Sequence, residues 1–163
     1  MTLKCTVGLV FIVNGAVKDV CIYVSVVVSL DAELDVSSVD DVNQCENTIV
    51  SQWTELSANE QNELRDRMDE IFRPLGLETR LVVLNRANGI ALYFICKSLT
   101  TIVSLRVRWR NRQLRQIVQS LFTFLAGVIP KVRVKRLTWP LSDYERILGF
   151  CSSIQGKKIT TIL

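Results

Sequence analysis

This 163-residue sequence predicts an α+β fold of the ferredoxin-like kind: a split β-α-β sandwich with a four-stranded antiparallel sheet and helices on one face. Three observations carry that expectation. Apolar spacing alternates between strand-like and helix-like periods in the order strand, helix, strand, strand, helix, strand, helix. Hydrophobic residues make up 48% of the chain and charged residues 22%, with a mean hydropathy of +0.25, which suits one compact core and excludes disorder. Seven Gly and three Pro without a recurring period exclude collagen-like, low-complexity and solenoid chains, so residues 1–163 read as one domain.

Residues 5–30 contain two uncharged runs, 13 residues from Cys5 to Val17 and 11 from Val20 to Leu30, split by Lys18-Asp19. As strands, Val7–Val13 and Val20–Val28 flank Asn14-Gly15, a dipeptide favoured in type I′ turns. As one fused segment, their apolar residues favour bilayer insertion by about 4 to 8 kcal/mol, against about 5 to 7 kcal/mol for the central Lys and Asp. Membrane contact through this segment is therefore an alternative to the hairpin. A cleaved signal peptide is a third reading, although Asn14-Gly15-Ala16 makes a poor cleavage site.

Residues 31–47 are acidic, with Val36, Val39 and Val42 spaced by three, and read as a loop or weak helix leading into Ile49-Val50 and Trp53. Residues 1–56 thus combine apolar strands with an acidic segment. Ser57-Ala-Asn-Glu60 is a capping box, in which the Ser oxygen accepts the N–H three residues on and Glu60 reaches back. The helix it opens carries Leu64, Met68, Ile71 and Phe72 on one stripe and closes at Pro74 and Gly76. Leu77–Leu84 and Ile90–Cys96 are strands about a turn at Asn85–Gly89. Ser98 is the expected cap of a helix through Leu99, Ile102 and Val103. A second helix holds Leu114, Ile117, Val118, Leu121 and Leu125, the two meeting near Asn111. After Pro130, Lys131–Leu137 alternates with strand period, Val132 and Val134 on one face, Arg133 and Lys135 on the other. Ser142-Asp-Tyr-Glu145 is a second capping box opening the last helix, and the tail from Gln155 is peripheral.

Within residues 57–155, Phe72-Arg-Pro-Leu-Gly76, Asn88-Gly-Ile-Ala-Leu-Tyr-Phe94, Ser98-Leu99, Trp109-Arg-Asn-Arg-Gln-Leu114 and the Tyr144-Glu145 step form a loose pattern. In these the chain resembles the N-terminal domain family of the TNF-receptor-associated death-domain adaptor (TRADD-N-like). The resemblance implies a ferredoxin-like, non-enzymatic intracellular adaptor in apoptosis or innate-immune-type signalling, docking a TRAF-type protein or a copy of itself. Arg112 departs from the family pattern, standing where relatives tend to carry a small residue, often Gly. None of the family's partner-contacting residues has a positional match here, so none is carried over.

The chemistry is sparse. The chain contains no His, which removes Ser-His-Asp and Cys-His catalysis and imidazole metal ligands. It has no phosphate-binding glycine motif, nucleophile elbow or zinc-protease motif, so no catalytic residue, cofactor or metal is expected. Asp31, Glu33, Asp35, Asp40 and Asp41 lack the spacing and central Gly of a calcium loop. Cys5, Cys21, Cys45, Cys96 and Cys151 are odd in number and widely spaced, as in reduced, buried thiols of a cytoplasmic protein, and Cys96 lies in an apolar run.

Charge is the sharper signal. Residues 1–72 carry 4 Lys+Arg against 13 Asp+Glu, whereas residues 73–163 carry 16 against 3. Arg106, Arg108, Arg110, Arg112 and Arg115 interleave with Trp109, and Lys131, Arg133, Lys135 and Arg136 line the last strand. These ten residues are the expected partner-binding set. The arginines near Trp109 are expected to face outward; the two sets then either form one continuous patch or pair internally with the acidic part. Such a patch suits protein docking or, alternatively, nucleic acid, since guanidinium groups beside an aromatic bind phosphates and stack on bases. The aromatic strand signature of RNA-recognition domains is absent.

Overall fold

The computed structural model describes residues 5–14, 17–36, 39–58, 62–127 and 132–155. Strands β1 (Cys5–Asn14) and β2 (Val17–Asp35) form an antiparallel hairpin, paired from Cys5↔Val26 to Asn14↔Val17. The hairpin expectation holds there; the loop itself, residues 15–16, lies outside the described residues. No described helix is long and apolar enough to cross a membrane.

From Val26 onward β2 becomes the central strand of the sheet. It pairs with β4 (Gly89–Cys96) on one side through Val26↔Cys96 to Ala32↔Ile90, and with β5 (Arg133–Thr138) through Asp31↔Thr138 to Asp35↔Arg133. Strand β3 (Thr79–Ala87) completes the sheet on the far side of β4. The resulting antiparallel order β5-β2-β4-β3 is that of a split β-α-β sheet.

Alternation explains which face the helices cover. Val26, Val28, Leu30, Ala32 and Leu34 of β2 are buried together with Ile90, Leu92, Phe94 and Cys96 of β4. Onto that face pack α1 (Val39–Ala58), α3 (Leu99–Arg110) and α4 (Gln113–Ala126), with α2 (Asn62–Phe72) and α5 (Leu141–Gln155) against the other helices. Helix α4 supplies the widest apolar stripe: Leu114, Ile117, Val118, Leu121, Phe122 and Leu125 are all buried.

Several expected boundaries move. The acidic segment is neither loop nor weak helix throughout: residues 31–35 end β2, and a 20-residue helix follows. Ser57 does not cap a helix, because α1 runs through it and its hydroxyl donates to the Trp53 carbonyl one turn back. The turn after β3 is tighter than expected, since Ala87 pairs with Gly89 and leaves only Asn88 between them. Helix α5 starts one residue before Ser142, where the Asp143 and Tyr144 amides donate to the Pro140 carbonyl.

Other expectations hold. Ser98 is extended, at φ −150° and ψ 160°, and accepts the Thr101 amide at 3.2 Å. Helices α3 and α4 meet at Asn111-Arg112. Met68, Ile71 and Phe72 pack against the core, and Arg73–Leu75 forms a 3₁₀ turn stopped by Gly76 at φ 75°. The side chain of Leu64, like Cys5 and Cys21, lies outside those described. Cys45, Cys96 and Cys151 are all buried, Cys45 and Cys96 as free thiols, and burial pushes the Cys96 thiol up to about 12.

Candidate docking surface at the α3–α4 joint

Helix α3 carries two kinds of arginine. Its inward stripe runs Ile102, Leu105, Arg106, Trp109, and Arg106 is only 8% exposed. The Arg106 guanidinium lies 4.1 Å from the Trp109 ring centroid, 5.0 Å from Tyr144 and 5.2 Å from Trp139, and its Nη1 donates to the Trp139 carbonyl at 2.7 Å. Trp109 Nε1 donates to the Leu137 carbonyl at 2.9 Å, and Trp139 meets Tyr144 edge-on at 5.5 Å. Three aromatic faces and a carbonyl thus hold a cation that has no carboxylate partner among the described residues. Burial lowers the Arg106 pKa from its ordinary value; the Tyr144 hydroxyl opposes that shift and Arg110 adds to it.

The expectation that Arg106 faces outward is therefore corrected. It falls four residues after Ile102, on the buried stripe, and it clamps α3 to the β5–α5 connection. Arg115 is corrected too: half-buried on α4, it donates to the Val134 carbonyl through Nε at 3.1 Å and Nη2 at 2.6 Å. Gln119, one turn later, accepts the Val134 amide and donates to the Val132 carbonyl, so two α4 side chains hold the start of β5.

On β5, Arg133 and Lys135 are exposed as expected, but they are not free. Arg133 reaches Asp35 and Lys135 reaches Glu33, each at 3.1 Å. This internal pairing with the acidic part breaks the single patch that the sequence allowed. Lys131 lies outside the described residues. Arg108, Arg110, Arg112 and Arg136 form no ion pair among the described residues; Arg108 is half-buried and the other three are exposed.

Three of these four cations surround the α3–α4 joint. Arg108 and Arg110 occupy the last turn of α3, where positive charge is favoured by the carbonyl end of the helix. Arg112 precedes α4 with φ 66°, the only positive φ of a non-glycine residue among those described. This left-handed conformation is where glycine is most at ease. Beside the cations, Val107 is 54% exposed and Val103 40%. The joint therefore presents free guanidinium groups next to aliphatic surface.

One polar cluster had no sequence signal. Arg86 of β3, expected in a turn, bridges to buried Glu46 of α1 at 2.8 Å and also bonds Asn43 and Asn47, fixing α1 over the sheet. No group of His, Cys, Asp or Glu suited to a metal ion occurs among the described residues. Between α2 and α4 lies an open groove of about 910 Å³, floored by Ile71, Ile117 and Phe124. Comparison with family models, curated proteins and solved structures returns no match.

Proposed function

We propose that this chain is a non-enzymatic protein-interaction domain of the adaptor type, which docks an acidic partner surface at the α3–α4 joint. The supporting observation is the pairing of free cations with exposed aliphatic residues there: Arg110 and Arg112 beside Val103 and Val107. Protein interfaces combine apolar contact with arginine in this way. The resemblance to TRADD-N-like domains supplies the class of partner, a signalling protein of TRAF type or another copy, and the setting, apoptosis or innate immunity inside the cell. Nucleic acid is the weaker reading. On the side of the sheet away from the helices, Asp31, Glu33 and Asp35 line β2 and Tyr93 is the only aromatic ring described, which is a poor platform for stacked bases.

The test compares the wild type with Arg110→Glu/Arg112→Gly, the glycine preserving the left-handed backbone. Both are titrated with an acidic peptide carrying apolar residues and with a single-stranded RNA of equal charge, by fluorescence anisotropy. Binding of the peptide in preference to the RNA, weakened about tenfold or more in the variant at unchanged melting temperature, is the expected result. Equal peptide binding by both proteins, or preferential RNA binding with a steep salt dependence, refutes it.

A further inference from the structure

The sheet face turned away from the helices is not composed like a solvated one. Antiparallel strands with one wet face alternate apolar with polar residues, yet here β4 turns Ala91, Tyr93 and Ile95 outward, joined by Val27 on β2 and Val83 on β3 beside the polar Ser29, Asp31, Arg80 and Asn85. Ala91 is 4% exposed and Val83 38%, and Val27, Tyr93 and Ile95 are half-buried. Ser29, paired in register with Tyr93, has its hydroxyl buried without a partner. Strand β4, Gly-Ile-Ala-Leu-Tyr-Phe-Ile-Cys, is apolar on both faces, the pattern of a strand covered on both sides. The described helices cover only one.

Two opposite charges bracket this apolar patch. Arg80 on β3 stands in register with Ile95, and Asp31 on β2 stands in register with Ala91. Both are exposed, and neither has an ion-pair partner among the described residues. Elsewhere on the face, Glu33 and Asp35 are already neutralised by Lys135 and Arg133.

The geometry points to a second copy of this chain as the occupant of this face, related by a two-fold axis that passes over Tyr93. Arg80 lies one strand from Tyr93 and two residues toward Ile95; Asp31 lies one strand away on the opposite side and two residues toward Ala91. Tyr93 is the midpoint between them. An in-plane two-fold across the line joining the charges therefore lays Arg80 of each copy on Asp31 of the other and Tyr93 on Tyr93. Strands about 4.8 Å apart with about 3.4 Å per residue put the charges roughly 17 Å apart and make the two sheets cross at roughly 70°. That is near the orthogonal mode of sheet packing. A foreign partner would need to reproduce this charge pair independently, whereas the copy supplies it by symmetry, as isologous interfaces require. Four strands by six residues give roughly 400 Å² of plan area. With side-chain relief and both copies counted, on the order of 1,200 Å² is buried, the lower range of specific interfaces. This surface is separate from the α3–α4 joint, so the two readings stand or fall independently.

Sedimentation velocity of the full chain over a concentration series tests the proposal, with circular dichroism confirming the fold of each variant. The wild type is expected to form a dimer that dissociates on dilution. Arg80→Asp and Asp31→Arg, made singly, each place like charges at both corners and should weaken it about a hundredfold. Arg80→Asp/Asp31→Arg together restore opposite charges and should restore the dimer, a rescue that loss of folding cannot imitate. A wild type that stays monomeric, a dimer indifferent to the single reversals, or a double variant that does not re-dimerise overturns the proposal.

Discussion

Arg106→Ala is the substitution that separates the structural arginines of α3 from the free ones. Truncation removes buried stem methylenes, worth about 0.8 kcal/mol each, together with the guanidinium set among the Trp109, Trp139 and Tyr144 rings. It also deletes the charge-assisted hydrogen bond to the Trp139 carbonyl, about 1.5 to 3 kcal/mol, and leaves that carbonyl unpaired. Against this, the folded state no longer has to desolvate a guanidinium, which returns part of the loss. The net expectation is a destabilisation of about 3 kcal/mol. For a chain of 163 residues, at about 2 to 4 °C per kcal/mol, the melting temperature falls by about 6 to 12 °C. Arg106→Met keeps an unbranched side chain over the rings and should recover more than half of the loss. Arg110→Ala, exposed and unpaired, should stay within about 0.5 kcal/mol of wild type. Urea unfolding followed by tryptophan fluorescence and by circular dichroism measures all three. If Arg106→Ala unfolds at the same urea concentration as Arg110→Ala, the aromatic clamp contributes nothing and the account of α3 is wrong.

Two further outcomes follow from the backbone and from a carboxylate. Gly89 has φ +121°, and a Cβ there would run into the Ala32 carbonyl oxygen of the neighbouring strand, so Gly89→Ala should cost about 3 kcal/mol or more; a chemical-denaturation midpoint equal to wild type would contradict the tight turn at Asn88. Glu78 accepts hydrogen bonds from the Thr101 and Ser98 hydroxyls, which hold its carboxyl below the usual range. Its contribution is then complete above the unfolded value near ~4.3 and is lost as pH falls through the depressed folded value. Amide exchange in the first turn of α3 should accelerate at that acidic edge in the wild type and already be fast at neutral pH in Glu78→Gln; identical profiles would show that the carboxylate does not support the cap.

Much of the fold was legible because its signals are local. The two apolar runs about Asn14-Gly15, the alternation of Val132 and Val134 against Arg133 and Lys135, Ser98 before an apolar stripe, and the break at Asn111 each specify an element by themselves. Where the structure departs from the expectation, composition points one way and period the other. Asp31, Glu33 and Asp35 look like an acidic loop, but they alternate with Ala32 and Leu34, both buried, which is the mark of a strand. Arg106 looks like one of a run of surface arginines, yet it lies on the stripe Ile102, Leu105, Trp109. Ser57 was ambiguous in principle, since its hydroxyl can cap the helix ahead or bond the turn behind, and tertiary packing of Trp53 in the core favours the second. Arg86 gave no signal at all, because its partner Glu46 is 40 residues away in sequence and meets it only once α1 lies on the sheet.

The charge asymmetry of the chain resolves in the same terms. Of the four ion pairs among the described residues, three join the acidic first part to the basic second: Arg86 to Glu46, Arg133 to Asp35 and Lys135 to Glu33. The asymmetry is thus partly a device for closing the sheet and fixing α1 over it. Among the cations outside these pairs, Arg108 and Arg110 stand at the carbonyl end of α3, where the helix favours positive charge. A single helix then serves two ends, its inner arginine bound to aromatic rings and its last-turn arginine offered to solvent, four residues apart. Substitutions at Arg106 and Arg110 should accordingly divide cleanly, the first moving stability and the second moving only the binding of an acidic partner.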